Sequence, residues 1–164
     1  MRVLWLVLTL TTAAQASAYE HFASPDGKLE AYTTANWPDG TGMKLFLRRA
    51  QAHDAGTLLW KNNRWIDAKW SPDSRFLAVV DHFDGHISNV YVFGVATADA
   101  EPRLLYHTPG LGTYDVKWEV MSWDVARREI ILRKQVKHKT PDKITHEKVT
   151  ARIGSKPLKL EESH

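Results

Sequence analysis

The stretch Trp70-Ser71-Pro72-Asp73-Ser74-Arg75-Phe76-Leu77-Ala78-Val79 reads as a tight turn followed directly by a strand. Proline presets φ for the first turn position, and aspartate bonds nearby backbone amides. The run 76–80 after it is apolar on both faces, as expected of a strand inside a stack of sheets. The same pattern stands 47 residues earlier as Ser24-Pro25-Asp26-Gly27-Lys28-Leu29-Glu30-Ala31-Tyr32, where Gly27 supplies a residue that tolerates positive φ. Ile66-Asp67-Ala68-Lys69-Trp70 returns as Tyr114-Asp115-Val116-Lys117-Trp118, and Leu58-Leu59-Trp60 returns as Leu104-Leu105-Tyr106. Three matches at nearly one period define a repeat, the sequence signature of stacked supersecondary units.

Each unit resolves into strands. In the first copy they are expected over 29–33, 43–49 and 57–60. In the second they fall at 76–80, 90–95 and 103–106, with an Asp- and Gly-rich hairpin loop over 81–89. The third copy is the most eroded. Its strands are expected over 129–136, 145–153 and 157–160, and its turn, 122–127, reads as longer and carries neither Pro nor Gly. No segment shows helical periodicity over ten or more residues. The expected fold is all-β and antiparallel, with three stacked units of three or four strands. An irregular sandwich or barrel is the alternative.

The stretch 70–79 resembles the WD-type β-propeller repeat, of the kind found in the periplasmic Tol translocation protein B and in peptidase-associated propellers. The likeness covers most of the chain after its first 18 residues, although only the first two copies keep the Ser-Pro-Asp turn. It implies four-stranded blades serving as interaction platforms. Closed propellers need about four to eight blades, and three copies fall short of that. Two chains completing a six-bladed ring, an open stack with exposed edge strands and a merged sandwich are the geometries this leaves.

At the front, Met1-Arg2 precedes the apolar run Val3-Leu4-Trp5-Leu6-Val7-Leu8, and small residues follow to Ala16-Ser17-Ala18. A positive start, a short apolar core and a small-residue cleavage site make a secretory signal, expected to be removed after Ala18. The apolar run is too short for a membrane span of about 20 residues. The expected mature chain, 19–164, is one β-repeat domain located in a periplasm or outside the cell. It contains no cysteine, so a core and not disulfides must stabilise it. Loss of Arg2 leaves 21 Lys and Arg against 19 Asp and Glu, too small a surplus to argue for nucleic acid. The basic residues concentrate over 127–148.

Three groups of residues are candidates for contact. His82, Asp84 and His86 stand with Asp81 at a hairpin tip, where imidazoles and carboxylates can hold a divalent ion. The competing reading is a polar tip in which Asp84-Gly85 makes the turn. Trp37, in Asn36-Trp37-Pro38-Asp39-Gly40, is an aromatic on a turn-forming loop, suited to meeting a protein or a sugar ring. Lys137 and Lys139 flank His138 on a basic tip that can meet an acidic partner. Trp60 and Trp65 bound a loop that can present an aromatic wall, while Trp70 and Trp118, at equivalent positions, are expected to pack between sheets. No cofactor is implied, and no serine elbow, phosphate loop or His-Glu-x-x-His motif occurs. The expected function is an exported, non-catalytic binding or adaptor module acting through loops or edge strands on an envelope or secreted protein, with self-pairing into a homodimer as one form. A metal- or small-ligand-binding protein using His82, Asp84 and His86, hydrolytic in one form, is the alternative.

Overall fold

The computed structural model describes residues 18–35, 42–62, 64–83, 87–97, 100–109, 115–138, 143–156 and 158. They form eleven strands and, among the described residues, no helix. The strands are β1 (Ala18–Ala23), β2 (Leu29–Ala35), β3 (Met43–Arg49), β4 (Thr57–Asn62), β5 (Trp65–Trp70), β6 (Phe76–His82), β7 (Ser88–Gly94), β8 (Arg103–His107), β9 (Asp115–Asp124), β10 (Glu129–Lys137) and β11 (Ile144–Arg152). They pair only with chain neighbours and only antiparallel, as three separate meanders: β1-β2-β3-β4, β5-β6-β7-β8 and β9-β10-β11. The expected all-β stack of three- to four-stranded units is what forms. Among the described residues none of the sheets closes on itself.

The middle sheet has a core on each side. Side chains alternate across a strand, and β6 has apolar residues at both parities. Leu77 and Val79 point toward the first sheet and pack with Ala31, Leu45 and Leu47. Phe76, Ala78 and Val80 point toward the last sheet and pack with Trp118, Ile130 and Leu132. Trp70 and Trp118 do sit at equivalent places. Trp70 is buried between the first and middle sheets, donating from Nε1 to the Phe22 carbonyl (2.8 Å). Trp118 is buried one layer further along.

The Ser-Pro-Asp turns repeat bond for bond. The Ser24 hydroxyl accepts from Leu29 N–H (2.9 Å) and donates to the Asp26 carboxylate (2.7 Å), while Gly27 N–H donates to the Ser24 carbonyl (2.9 Å). The Ser71 hydroxyl accepts from Phe76 N–H (2.9 Å) and donates to Asp73 (2.6 Å), while Ser74 N–H donates to the Ser71 carbonyl (2.9 Å). The hydrogen bonds from Ser24 and Lys28 hold the Asp26 carboxyl below the ordinary carboxylate range. Gly27 and Ser74 occupy the same left-handed conformation, at φ +68° and +61°. Serine at this position is strained, but its hydroxyl accepts from Asp26 N–H (3.0 Å), tying the second turn to the first.

The third turn differs from expectation. It is no longer than the others, because β9 runs on through Asp124 and the chain reverses over 125–128. Arg128 takes the left-handed position at φ +56°, and its N–H donates to the Val125 carbonyl (3.1 Å). The extra length is absorbed within the strand by a bulge opposite Ile131 and Leu132. Of the strand expected over 157–160, only Leu158 is described, and its N–H donates to the Leu104 carbonyl on β8 (2.7 Å). The chain therefore crosses back to the outer edge of the middle sheet.

Removing the Ser71 hydroxyl leaves the buried Phe76 N–H without its partner, so Ser71→Ala is expected to cost about 1–3 kcal/mol in urea unfolding. Because the geometry recurs, Ser24→Ala should fall in the same range. A loss at one site with none at the other would show that the two turns are not energetically equivalent.

Candidate functional site

The last sheet docks on the middle one through a serine. The Ser88 side chain is fully buried; its hydroxyl accepts from Trp118 N–H (2.8 Å) and donates to the Trp118 carbonyl (2.9 Å). One side chain thus satisfies both backbone groups of a residue in β9, anchoring that strand across β7. Further along β9, the Lys69 ammonium donates to the carbonyls of Met121 (3.0 Å) and Val120 (3.4 Å). These two attachments fix β9 against the middle sheet, and an open cleft lies beside β5.

The cleft has a volume of about 430 Å³, and Trp65, Asp67, His82, Lys117 and Glu119 supply its character. Register explains the lining. In β5, Ile66, Ala68 and Trp70 are buried, which turns Trp65, Asp67 and Lys69 the other way. Trp65 lies opposite His82 and Asp67 opposite Val80, so these side chains share one face. Trp65 is 45% exposed, a large apolar surface left open to solvent. Burial, and then the Lys117 charge, push the His82 imidazole below its ordinary range, against the pull of Asp67 and Glu119. Glu119 is engaged by Arg133, whose Nε donates to it (2.9 Å). Lys117 makes no hydrogen bond or ion pair with a described residue and projects its charge into the cleft.

Asp81 and His82 are sequence neighbours, but the strand separates them. Asp81 is 2% exposed and lies between the first and middle sheets, where Trp60 Nε1 (3.1 Å) and the Asn62 amide donate to its carboxylate. Asn62 also donates to the carbonyls of His82 (3.0 Å) and Trp65 (3.3 Å), locking the end of β4 to the strands beside it. Trp60 packs against Tyr91 in a tilted ring pair with centroids 4.1 Å apart, so of the two tryptophans flanking that loop only Trp65 faces solvent broadly. Burial pushes the Asp81 carboxyl up to about 6 despite these hydrogen bonds.

Of the residues expected to make contacts, His82 lines the cleft and Lys137 is exposed at the end of β10. Trp37, Asp84, His86 and Lys139 lie outside the described residues. Among the described residues no group of three His, Asp or Glu is arranged to hold a metal ion. Sequence reading missed Trp65, Asp67 and Lys117 as a set. The Asp67/Asp115 and Lys69/Lys117 matches of the repeat were the available signal that β5 and β9 present corresponding polar faces. No protein-family model matches the chain, and no curated protein matches it.

Two outcomes test this geometry. Ser88→Ala leaves both backbone groups of Trp118 without a partner, and is expected to cost about 1–3 kcal/mol for each group left buried. Near-wild-type stability in urea would show that β9 is held by side-chain packing alone. Asp81 is harder to ionise in the folded chain than in the unfolded one. Its stabilising contribution is full below the ordinary carboxylate pKa of about 4 and is lost as pH rises through about 6. The thermal midpoint of the wild type relative to Asp81→Asn should therefore fall across that window and level off above it. A flat difference would mean that Asp81 titrates as an exposed carboxyl does.

Proposed function

We propose that this chain is an exported, non-catalytic binding module of the cell envelope that holds a protein partner. The supporting observation is the cleft: an exposed indole, an imidazole that burial pushes below its ordinary range, an ammonium with no hydrogen-bond or ion-pair partner among the described residues, and a carboxylate line one open concavity. Aromatic residues beside a few placed charges are what binding surfaces use, because a rigid ring contributes area at little entropic cost. Residues 1–18 act as the export signal in this reading, and the module works in a periplasm or outside the cell. The resemblance to propeller repeats, which implies an interaction platform, agrees with it.

The two ends of the stack favour an open arc over a ring completed by a second chain. On the outer side of the first sheet, Tyr32 stacks between His21 and Phe46 and donates its hydroxyl to the Ala55 carbonyl (2.6 Å), while Arg48 lies over its ring at 4.3 Å. The outer side of the last sheet carries Arg133 and Lys148, with Glu119 opposite Arg133 at the rim of the cleft. Neither resembles the apolar faces that meet inside the molecule.

The test is cross-linked capture of the mature chain, residues 19–164, from its native envelope, beside Trp65→Ala and Lys117→Glu. One protein should be held by the wild type and its capture reduced about tenfold or more by Trp65→Ala, as for an interface anchor. Both variants should melt as the wild type does. Recovery of the chain with only copies of itself, or a partner retained equally by both variants, would overturn the reading.

A further inference from the structure

The first and middle sheets each have four strands, and the last has three. In the first sheet β4 covers the edge of β3, and in the middle sheet β8 covers the edge of β7. β11 occupies the third position of its sheet, and no described residue pairs with its other edge. The segment after β11 crosses instead to β8, where Leu158 bonds to Leu104 and Arg103 donates to the Ser155 carbonyl (3.1 Å).

The orientation of the free edge follows from the ladder. Ile153 N–H donates to the Arg128 carbonyl and His138 N–H to the Lys143 carbonyl, so odd-numbered residues of β11 exchange bonds with β10. The backbone groups of Ile144, His146, Lys148, Thr150 and Arg152 therefore point outward. The register runs without a bulge for nine residue pairs, whereas β1, β4 and β9 each lie in a pairing interrupted by one. Proline, a bulge, a covering loop or charged side chains blunt most natural edges; β11 has neither proline nor bulge and no described residue covers it, and the charges on its outward-pairing positions are Lys148 and Arg152.

We infer that β11 receives an extended peptide from a partner protein as the missing fourth strand of the last sheet. The inference rests on the binding-module reading but uses a different surface from the cleft. Main-chain bonds supply affinity in strand addition, and side chains opposite the edge supply selectivity. Lys148 and Arg152 stand on outward-pairing positions, Lys148 beside Arg133, and Ile144 is 48% exposed at the near end. On the other face, Val149 is half-buried and Ala151 is buried against the middle sheet. The matching peptide alternates acidic residues, opposite Lys148 and Arg152, with apolar residues beside Val149 and Ala151. By the lengths of β4 and β8 it spans five or six residues. A second copy fits worse, because antiparallel pairing along the whole of β11 places Lys148 opposite Lys148.

A synthetic peptide alternating Glu with Val is the probe, titrated into the mature chain with amide exchange followed by NMR. Binding should slow exchange at Ile144, His146, Lys148 and Thr150. Methylating alternate peptide nitrogens should abolish it, and Lys148→Glu should weaken it about fivefold, the worth of roughly 1 kcal/mol. His146→Pro removes one outward N–H and leaves the β10 ladder intact, so it should fold and bind less well. No binding, or equal binding of the methylated peptide, overturns the inference. Displacement by dextran sulfate as effective as by the peptide reduces the site to a polyanion surface and also overturns it. Binding only after deletion of residues 159–164 would mean that the chain's own tail is the fourth strand, again overturning it. Loss of the peptide in Trp65→Ala but not in His146→Pro would assign it to the cleft, separating failure of this inference from failure of the proposed function.

Discussion

The middle sheet must bury both of its faces, and the rest of the molecule is arranged around that requirement. β6 is apolar at successive positions from Phe76 to Val80, so neither side of it can face water. Alternation divides these residues between two neighbours, giving one core layer with the first sheet and a second with the last. Burial of this kind stabilises by roughly 25 cal/mol per Å² of apolar surface, and it substitutes here for the disulfides that a cysteine-free chain cannot form. The outer sheets contribute one face each. Their other sides are polar or carry stacked rings tied by hydrogen bonds to the sheet's own loop.

The same alternation shapes the chemistry. Asp81 and His82 are adjacent in sequence, yet one is drawn into the layer toward the first sheet and the other toward the last. Desolvation acts on both and in opposite directions: it raises the carboxyl and lowers the imidazole, so each is held nearer its neutral form. The carboxyl keeps two donors and locks β4 to β6. The imidazole faces a cleft whose walls are held by Ser88 and Lys69, two side chains that bond backbone groups across sheets. Rigid walls matter for binding, because a preformed concavity does not charge its ordering entropy against affinity.

A repeat that ends must also terminate its edges. The outer edge of the middle sheet is covered by the segment following β11, with Leu158 and Ser155 taking part. The first sheet ends on a short strand with a bulge. The last sheet is the exception, with a long, regular and basic edge, and this asymmetry is what distinguishes the third copy from the other two.

Eight of the eleven strands and their stacking were legible in the sequence because both depend on local pattern: turn chemistry at 24–27 and 71–74, two-sided apolar runs, and a period of about 47 residues; β1, β5 and β9, the first strand of each sheet, were given no range. The third turn was misjudged because its left-handed residue is Arg128 and not glycine, and because the bulge that shortens the turn lies within β9. The cleft could not be read, since Trp65 and Lys117 are brought together only by the docking of the last sheet on the middle one. That docking is held by bonds from Ser88 and Lys69 to a strand some thirty and fifty residues away. Local pattern, then, determined which segments are strands and which faces are apolar. Only the tertiary structure decided which polar residues meet and which edge is left open, because those depend on how one sheet leans on the next.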